Sequence, residues 1–574
     1  MTRQAVVGID AGTTAVKAVV LAPDGEQLGR ARVPLRVAHH GDRVEQDMDE
    51  VWSAVCDTVR SAVRQAGDGV EIAAVGVTGQ GDGAWLVDAD GRPCGPAAIW
   101  MDGSAAARVA EWERDGRGAL VRGVTGSSLF PGALPVLLEQ LEEDRPERLA
   151  RAVHQLNCKD WIRFRLTGEV ATDASEASRT YLDVSTGTYS DALIEALGHQ
   201  RFRHLLAPVR PPESAAGTVG AEAADATGLP VGVPVAAGLV DAAAAGVGLG
   251  AVLPGDAYLI VGTTAFAATV RQESGGSTAE GLITLATGPG GPVLECLAPM
   301  AGAPNLDWVR SVTGQRDGDW AEVERQARAA GPGAGGVVYL PYGSPNGERA
   351  PFVDRAASAS WIGMSVRTTP GQLLRSVYEG IAFTVRECLG EPADGRVLRI
   401  AGGSASSDLM CQVLADITGR PVARSGAPEL GARGVAALAM VTGGVTDDLG
   451  TALAALAGSV ATFAPDPAVR DLHDRQARAF AAARDALRPV WPSLRELRSA
   501  TEGLASPPAS ADPGSGSGPS AVSGTSAASG TAESAGGPGS AGTADAAGTS
   551  AVSDTSVASD SSESAPGADG LESL

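Results

Sequence analysis

The chain has 574 residues, of which 44% are hydrophobic and 20% are charged, so it is long enough to bury two hydrophobic cores. Its formal net charge of −23 excludes a general nucleic-acid binder, because such a protein needs a basic surface to displace counterions from phosphate. It has no apolar run of about 18 residues that could cross a bilayer, so we expect neither a nucleic-acid nor a membrane partner.

The N-terminal residues MTRQAVVGID pass directly into an apolar alternation and lack the layout of a secretory signal, so we expect a cytoplasmic protein. The cysteines form no CxxC pair and show no histidine spacing typical of zinc sites. We therefore predict reduced cysteines that serve packing, at Cys56, Cys94, Cys158, Cys296, Cys388 and Cys411.

The first elements have an α/β order. Residues 6–20, VVGIDAGTTAVKAVV, predict two strands joined by a Gly-Thr-Thr turn, and a turn at Pro23-Asp24-Gly25 leads into a third strand. Helical spacing follows in MDEVWSAVCDTVRSAVRQAG, and EIAAVGVTGQ then predicts a buried strand. The hairpin recurs at residues 257–270, AYLIVGTTAFAATV, which predicts two related lobes.

The C-terminal residues 506–574 consist mainly of Ser, Ala, Gly and Thr and contain no aromatic residue, Lys or Arg. Such a segment cannot bury enough apolar surface to offset its chain entropy. The composition therefore predicts a disordered, acidic tail.

Phosphate chemistry is indicated by the two Gly-Thr-Thr turns, although the chain lacks a P-loop motif. Asp10 ends a predicted strand, where a carboxylate can hold water around Mg²⁺. Glycine amides and threonine hydroxyls of the turns can donate to phosphate oxygens. The candidates are Gly12, Thr13 and Thr14 in the first turn and Gly262, Thr263 and Thr264 in the second.

Asp241 follows a predicted strand in VAAGLVDAAAAGVGLG and opens a helix of small residues. It is either a helix N-cap, a position that favours Asp, or a general base for transfer of a phosphoryl group to an alcohol. The sequence alone does not separate these hypotheses. Further on, Gly402 and Gly403 lie between a strand and a helix in VLRIAGGSASSDLMCQVLAD, where a planar ligand can approach the backbone.

The ordered array of IDAGTT, GQGDG, GLVDA with GTT behind it, GERAPFVD, YEGIAF and AGGSASSDLMCQVLAD resembles the FGGY carbohydrate kinases over residues 4 to about 480. The resemblance implies two RNase H-like lobes of the actin-like ATPase fold, with ATP, Mg²⁺ and a sugar or polyol meeting in a central cleft. We expect an N-terminal lobe at residues 1–250, a C-terminal lobe at 251–490 and the tail at 506–574. Dimers are common in the family, so a homodimer stays open.

The resemblance also implies roles for single residues. Asp10 becomes the metal residue, Asp241 the catalytic base, and Gly403 and Ser407 neighbours of the adenosine. Glycerol kinases carry Asn where this chain has Ser407, which weakens that last assignment. The full set predicted for the cofactor is Asp10, Gly12, Thr13, Thr14, Lys17, Gly262, Thr263, Thr264, Gly402, Gly403 and Ser407.

The substrate site is expected at Gln80, Gly81 and Asp82, together with Asp241. At the position of Gln80-Gly81-Asp82, the sugar site of glycerol kinases resembles Gln-Arg-Glu and that of D-xylulose kinases resembles Gln-Met-His. This chain has neither the Arg nor the His, so glycerol and D-xylulose are disfavoured as substrates. Asp82 can accept hydrogen bonds from hydroxyls, and Trp100 or Trp85 can cover a sugar face, unless either tryptophan belongs to the core.

GVTGQGDGAWLVDADGRP and NCKDWIRFRLTGEVATDASEAS are similar to the branch that holds erythritol and L-xylulose kinases, which implies a short polyol or ketose phosphorylated at a terminal hydroxyl. We interpret Lys159 as a surface lysine rather than a catalytic one. Alternatives within the family are D-xylulose, ribulose and glycerol kinases. Alternatives outside it are an actin-like regulatory ATPase without a sugar substrate and a kinase-derived binding protein. The scattered cysteines disfavour an iron-sulfur reductase activator of the same superfold.

Overall fold

The computed structural model describes residues 3–274, 279–288, 290–390 and 396–502, so the predicted tail lies outside the described residues. The elements up to residue 248 are β1 (Arg3–Ala11), β2 (Ala15–Leu21), β3 (Gln27–Pro34), β4 (Ala38–His40), β5 (Arg43–Gln46), α1 (Met48–Ala66), β6 (Val70–Gly79), β7 (Trp85–Val87), β8 (Ala97–Ala98), α2 (Ala106–Asp115), α3 (Arg117–Thr125), α4 (Leu134–Asp144), α5 (Pro146–Arg151), β9 (His154–Leu156), α6 (Cys158–Thr167), β10 (Thr172–Asp173), α7 (Ala174–Ala177), β11 (Leu182–Asp183), β12 (Thr188–Tyr189), α8 (Asp191–Ala196), β13 (Val209–Arg210), β14 (Ala215–Thr218), α9 (Ala221–Thr227), β15 (Pro234–Ala236), β16 (Leu239–Val240) and α10 (Asp241–Gly248).

The second half repeats the alternation of strands and helices. Its elements are β17 (Ala257–Val261), β18 (Ala265–Arg271), β19 (Ile283–Ala286), β20 (Val293–Leu297), α11 (Pro304–Val312), α12 (Trp320–Ala329), β21 (Val338–Leu340), β22 (Ser360–Ile362), α13 (Pro370–Leu389), β23 (Leu398–Ala401), α14 (Asp408–Thr418), β24 (Val422–Ser425), α15 (Leu430–Thr442), α16 (Leu449–Leu456), β25 (Val460–Phe463), α17 (Arg470–Leu487) and α18 (Trp491–Glu502). Short 3-10 turns lie between some of them.

The first large sheet has the strand order β14-β15-β6-β1-β2-β3, with β16 also paired to β6. β1 and β2 form the predicted antiparallel hairpin, and β1 runs parallel to β6. Helix α1 covers one face of this sheet and buries the side chains of Val51, Val55 and Val59, as the valine spacing predicts. Asp47 caps the helix by accepting hydrogen bonds from the amides of Asp49 and Glu50.

The second large sheet repeats this pairing in the order β19-β20-β18-β17-β23-β24-β25. β17 and β18 form an antiparallel hairpin, and β17 runs parallel to β23, as β1 does to β6. The two α/β lobes that the repeated hairpin predicts are therefore confirmed. The six cysteines are free, as predicted, and only Cys388 is not fully buried.

Helices α10 and α15 pack between the sheets and share a core with strands from both. Glycines allow the close approach. A Cβ on Gly434 of α15 would come within 2.0 Å of the Ala244 carbonyl oxygen of α10, and a Cβ on Gly8 of β1 within 2.0 Å of the Ala432 oxygen. The beginning of α15 consequently lies beside the end of β1, where Asp10 stands. Within the described part of the chain, no helix is long and apolar enough to span a membrane.

Candidate active site

The first hairpin places Asp10 opposite Lys17 in the β1–β2 register. The Lys17 Nζ atom lies 3.8 Å from Asp10 Oδ2 and 3.1 Å from Glu429 Oε2. Burial raises the pKa of Asp10, the Lys17 ammonium opposes that rise, and the Glu429 carboxylate adds to it. Glu429 immediately precedes α15 and belongs to none of the sequence motifs described above. The structure thus gathers two carboxylates and one ammonium at the end of β1.

Thr13 connects the first hairpin to residues 80–82, which are called the substrate loop below because the sequence predicts them to bind the acceptor. Its hydroxyl donates to Gln80 Oε1 at 3.1 Å and accepts from the indole N–H of Trp100 at 2.9 Å. Its carbonyl oxygen accepts from Gln46 Nε2 at 2.8 Å, and Gln46 is in turn bonded to Gln80. Gln80, Trp100 and the Gly-Thr-Thr turn therefore form one hydrogen-bonded unit. The two neighbours of Thr13 can be reached by a ligand. A Cβ on Gly12 would meet no atom closer than 3.7 Å, and Thr14 is exposed.

Asp82 stands in the left-handed region with a φ of 63°, a strained conformation for a residue with a side chain. Its Oδ1 atom lies 3.1 Å from Nε of Arg179, whose guanidinium stacks 5.1 Å above the Phe130 ring. Burial raises the pKa of Asp82, and Arg179 opposes the rise. Arg179 was missed because it lies nearly a hundred residues from Asp82 in the chain, outside any local motif.

Asp241 is the first residue of α10, and Val240 occupies the cap position. The Asp241 carboxylate accepts a hydrogen bond from the Ala242 amide at 2.6 Å. The Asp241 side chain is exposed, but the surrounding protein atoms desolvate it in part. This desolvation, followed by the negative charges of Asp10 and Asp82, raises the pKa of Asp241 to about 7. A carboxylate with that pKa can accept a proton near neutral pH.

The second hairpin ends in a tight turn in which the Gly262 amide donates to the Thr264 oxygen at 2.9 Å. Thr263 is exposed at its tip. The Ala303 amide donates to the Gly262 oxygen at 2.8 Å, and a Cβ on Gly302 would come within 2.5 Å of the Thr263 oxygen. Gly302 and Ala303 therefore support the turn from the segment that leads into α11. Neither residue carries a functional side chain, so no sequence motif points to this supporting segment.

The Gly402-Gly403 turn lies directly beside the second hairpin, because β23 pairs with β17. Gly402 has a φ of 95°, and a Cβ there would come within 2.5 Å of the Val261 oxygen, so only glycine fits. Gly403 is exposed and its Cβ direction is open. Ser407 caps α14, since its hydroxyl accepts from the Met410 amide at 3.0 Å.

The remaining predictions divide. Trp85 is fully buried and belongs to the core, whereas Trp100 is at the site. Lys159 is not a surface lysine: its side chain is 0% exposed, and Nζ lies 2.6 Å from Asp160 Oδ1 and 2.9 Å from Asp173 Oδ1. Burial alone would lower the pKa of Lys159, but these carboxylates raise it to about 12. The structure corrects the prediction because ion pairs offset the desolvation of a buried ammonium.

Among the described residues, no group of three or more His, Cys, Asp or Glu side chains is arranged to hold a metal ion. Asp10 and Glu429 remain the carboxylates at the first hairpin.

Both lobes have the same α/β architecture with a glycine-threonine turn at the end of the central hairpin, and a carboxylate begins helix α10, which lies between the two hairpins in the chain. Residues 5–248 match the N-terminal domain of the FGGY family of carbohydrate kinases, and residues 257–443 match its C-terminal domain. The chain belongs to this family and is a carbohydrate kinase.

The similarity to curated relatives extends over nearly the whole length of those proteins. The chain is 34% identical to the erythritol kinase of Brucella abortus (strain 2308) over 519 residues, which cover 85% of this chain and 97% of that protein. It is 28% identical to the L-xylulose/3-keto-L-gulonate kinase of Escherichia coli (strain K12), covering 82% and 94%. Among solved structures it is similar to the xylulose kinase from Rhodospirillum rubrum, with a TM-score of 0.77, 26% identity and coverage of 85% and 99%.

Proposed function

We propose that this kinase transfers the γ-phosphoryl group of ATP to a terminal hydroxyl of a short polyol, with erythritol as the first candidate and an L-xylulose-like ketose as the second. The observation that carries the proposal is the bond between Thr13 and Gln80, which joins the phosphate turn to the substrate loop at 3.1 Å. A donor phosphate and an acceptor sugar held by that unit would be neighbours, as phosphoryl transfer requires.

ATP is proposed to lie between the two hairpin turns. The amides and hydroxyls of the first turn, with the Lys17 ammonium, would neutralise phosphate oxygens from one lobe, and the second turn would do so from the other. The residues in these roles are Gly12, Thr13, Thr14, Lys17, Gly262, Thr263 and Thr264. The exposed backbone of Gly402 and Gly403 and the helix cap at Ser407 would border the adenosine. Mg²⁺ would be held by Asp10 through water and by the phosphates, the arrangement that this ion favours.

Asp241 is proposed as the general base. It would take the proton of the attacking hydroxyl as that oxygen bonds to the γ-phosphorus, while the bond from the γ-phosphorus to the bridging oxygen breaks and ADP leaves. The raised pKa, to about 7, supports this role because a base works best when its pKa is near the operating pH. Lobe closure would exclude water and suppress ATP hydrolysis.

The acceptor would be held by Gln80, Gly81, Asp82 and Trp100. Asp82 would accept hydrogen bonds from adjacent hydroxyls of the acceptor, and its carboxylate is paired with the buried Arg179. The similarity to an erythritol kinase favours a four-carbon polyol. D-xylulose, ribulose and glycerol remain candidates within the family. The lobe boundaries at residues 1–250 and 251–490 and a cytoplasmic location stay predictions, and the oligomeric state stays open.

ADP release from MgATP should be measured with erythritol, other tetritols, pentitols, L- and D-xylulose, ribulose and glycerol. We expect the highest kcat/KM with erythritol or another short polyol, and little ADP release without an acceptor. If no acceptor stimulates release while slow hydrolysis continues, the proposed transfer is wrong. If a pentulose exceeds every tetritol by tenfold or so, the transfer stands and the polyol assignment falls.

A further inference from the structure

The segment that leads into Asp241 has little secondary structure of its own. It passes through Gly238, with a φ of 77°, and then through the short strand β16, which pairs with β6 at Leu239 and Val240. A strand this short has few ladder bonds to fix it. Something else must hold the backbone that carries Asp241.

Three buried side chains supply that support. The Ser175 hydroxyl accepts from the Val240 amide at 2.9 Å. The Thr78 hydroxyl donates to the Leu239 oxygen at 2.6 Å, and the Lys159 ammonium donates to the Ala237 oxygen at 3.2 Å. Thr78, Lys159 and Ser175 are each 0% exposed. The backbone that leads into Asp241 is therefore held by these side chains in addition to its short pairing with β6.

Ser175 is itself fixed by the buried ion cluster. Its hydroxyl donates to Asp173 Oδ2 at 2.5 Å, and its amide donates to the same oxygen at 2.7 Å. The other oxygen of Asp173 lies 2.9 Å from Nζ of Lys159. An unbroken chain of contacts thus runs from Lys159 through Asp173 and Ser175 to Val240, the residue before Asp241.

The same short helix, α7, also contacts the substrate loop. Glu176 accepts from Asn157 Nδ2 at 2.7 Å. The Asn157 oxygen accepts from Gln155, which also donates to the Gly83 oxygen at 3.2 Å. A Cβ on Gly81 would come within 2.5 Å of Val240 Cγ2 and 3.4 Å of Glu176 Oε2. Ser175 therefore contacts β16, which leads into Asp241, and Glu176 lies beside the predicted substrate loop at Gly81.

We propose that Lys159, Asp173 and Ser175 are positioning residues that set Asp241 against the acceptor loop. The inference rests on the proposed function, because it assumes that Asp241 is the base. It assigns a role to Lys159, for which the sequence predicted only a surface lysine. A small misplacement of a catalytic group reduces the rate strongly, by about a hundredfold for 1 Å.

The test compares Ser175→Ala with Ser178→Ala. Ser178 is a matched control: it is 0% exposed, lies just after α7, donates to the Ala174 oxygen at 2.6 Å and accepts from the Ala286 amide at 2.8 Å, away from Val240. Both variants should lose similar melting temperature. Only Ser175→Ala should lose kcat, by about tenfold or more, with KM for ATP changed less than about twofold. Equal kcat in the two variants, relative to their stability, would overturn the proposal.

A double variant separates this inference from the proposed function. If Ser175 acts through Asp241, Ser175→Ala should lower the residual turnover of Asp241→Asn by less than about twofold. A full repetition of the Ser175→Ala loss on that background would show that Ser175 acts elsewhere and overturn the positioning role. If Asp241→Asn alone keeps normal turnover, the assignment of the base has failed instead.

Discussion

The Lys17 ammonium lies 3.1 Å from the Glu429 carboxylate and so joins the first hairpin to the beginning of the interlobe helix α15. Glu429 adopts a left-handed conformation with a φ of 53°, a strained state for a glutamate. Asp10 is the second carboxylate near Lys17, at 3.8 Å. Lys17 therefore has two carboxylate partners. Asp10 can be replaced while Glu429 still pairs with Lys17, so the contributions of the two carboxylates can be tested one at a time.

Asp10→Asn should raise the Mg²⁺ concentration for half-maximal rate by about tenfold, because it removes the carboxylate proposed to order the water shell of the ion. A Mg²⁺ titration at saturating ATP and polyol measures this. Asp183→Asn is a control, since the Asp183 carboxylate bonds within its own turn, to the Ser185 amide at 2.9 Å. An Mg²⁺ requirement equal to that of the control would reject Asp10 as the metal residue.

The pH dependence of kcat/KM should follow the ionisation of Asp241. The base is active only when deprotonated, and its pKa is raised to about 7, so kcat/KM should fall about tenfold per unit below that pH and level off above it. A series of rates from about pH 5.5 to 8.5 provides the measurement. A profile that stays level down to about pH 5.5 would contradict the raised pKa.

The same shift predicts a change in stability. Because the pKa of Asp241 is higher in the folded than in the unfolded chain, the folded state binds the proton more tightly, and this contribution to stability is lost as pH rises from about 4 through 7. Asp241→Asn does not titrate. Its melting temperature should therefore match the parent at about pH 4.5 and exceed it at about pH 8. A difference that is independent of pH would count against the shift.

Asp82→Asn should raise KM for the polyol by about tenfold to a hundredfold, since a hydrogen bond to a charged group contributes about 1.5–3 kcal/mol. The variant also leaves the 7% exposed Arg179 without its carboxylate partner. KM for ATP should change little. Steady-state kinetics with each substrate varied in turn give both constants. A rise in KM for ATP alone would place Asp82 outside the acceptor site.

Gly434→Ala should destabilise the fold by about 1–3 kcal/mol, the usual range for overpacking, because its Cβ would collide with the Ala244 oxygen at 2.0 Å. Gly123→Ala is the control. Gly123 lies in the exposed part of α3 with nothing within 4 Å of its Cβ position, and alanine there should be neutral or stabilising by about 1 kcal/mol. Denaturant unfolding of both variants measures the difference. Equal stability would show that α10 and α15 can separate without cost.

Local patterns predicted much of the fold. The Gly-Thr-Thr turns between apolar strands predicted both hairpins, because hairpins are built from neighbouring residues. The valines of α1 predicted a helix with one buried face. The Gly-Thr-Thr motif predicted the first turn and the family resemblance predicted the substrate loop, and the structure adds the contact between these two segments through Thr13.

Contacts between distant segments could not be predicted in this way. The sequence predicted a surface position for Lys159 because it does not show that the fold brings Asp173 next to it. In the structure, Lys159 is paired with both Asp160 and Asp173. Arg179 and Glu429 were missed for the same reason, since each acquires its role from a partner in another element. Fold class follows from periodicity, whereas the electrostatics of a site depend on tertiary neighbours.

The most direct test of the central claim is to compare Asp241→Asn with the parent in erythritol-dependent ADP release, and to measure ATP binding by calorimetry without polyol. If Asp241 is the base, turnover should fall at least about a hundredfold while the Kd for ATP changes less than about twofold. Turnover close to that of the parent would contradict the assignment of Asp241 and the mechanism built on it.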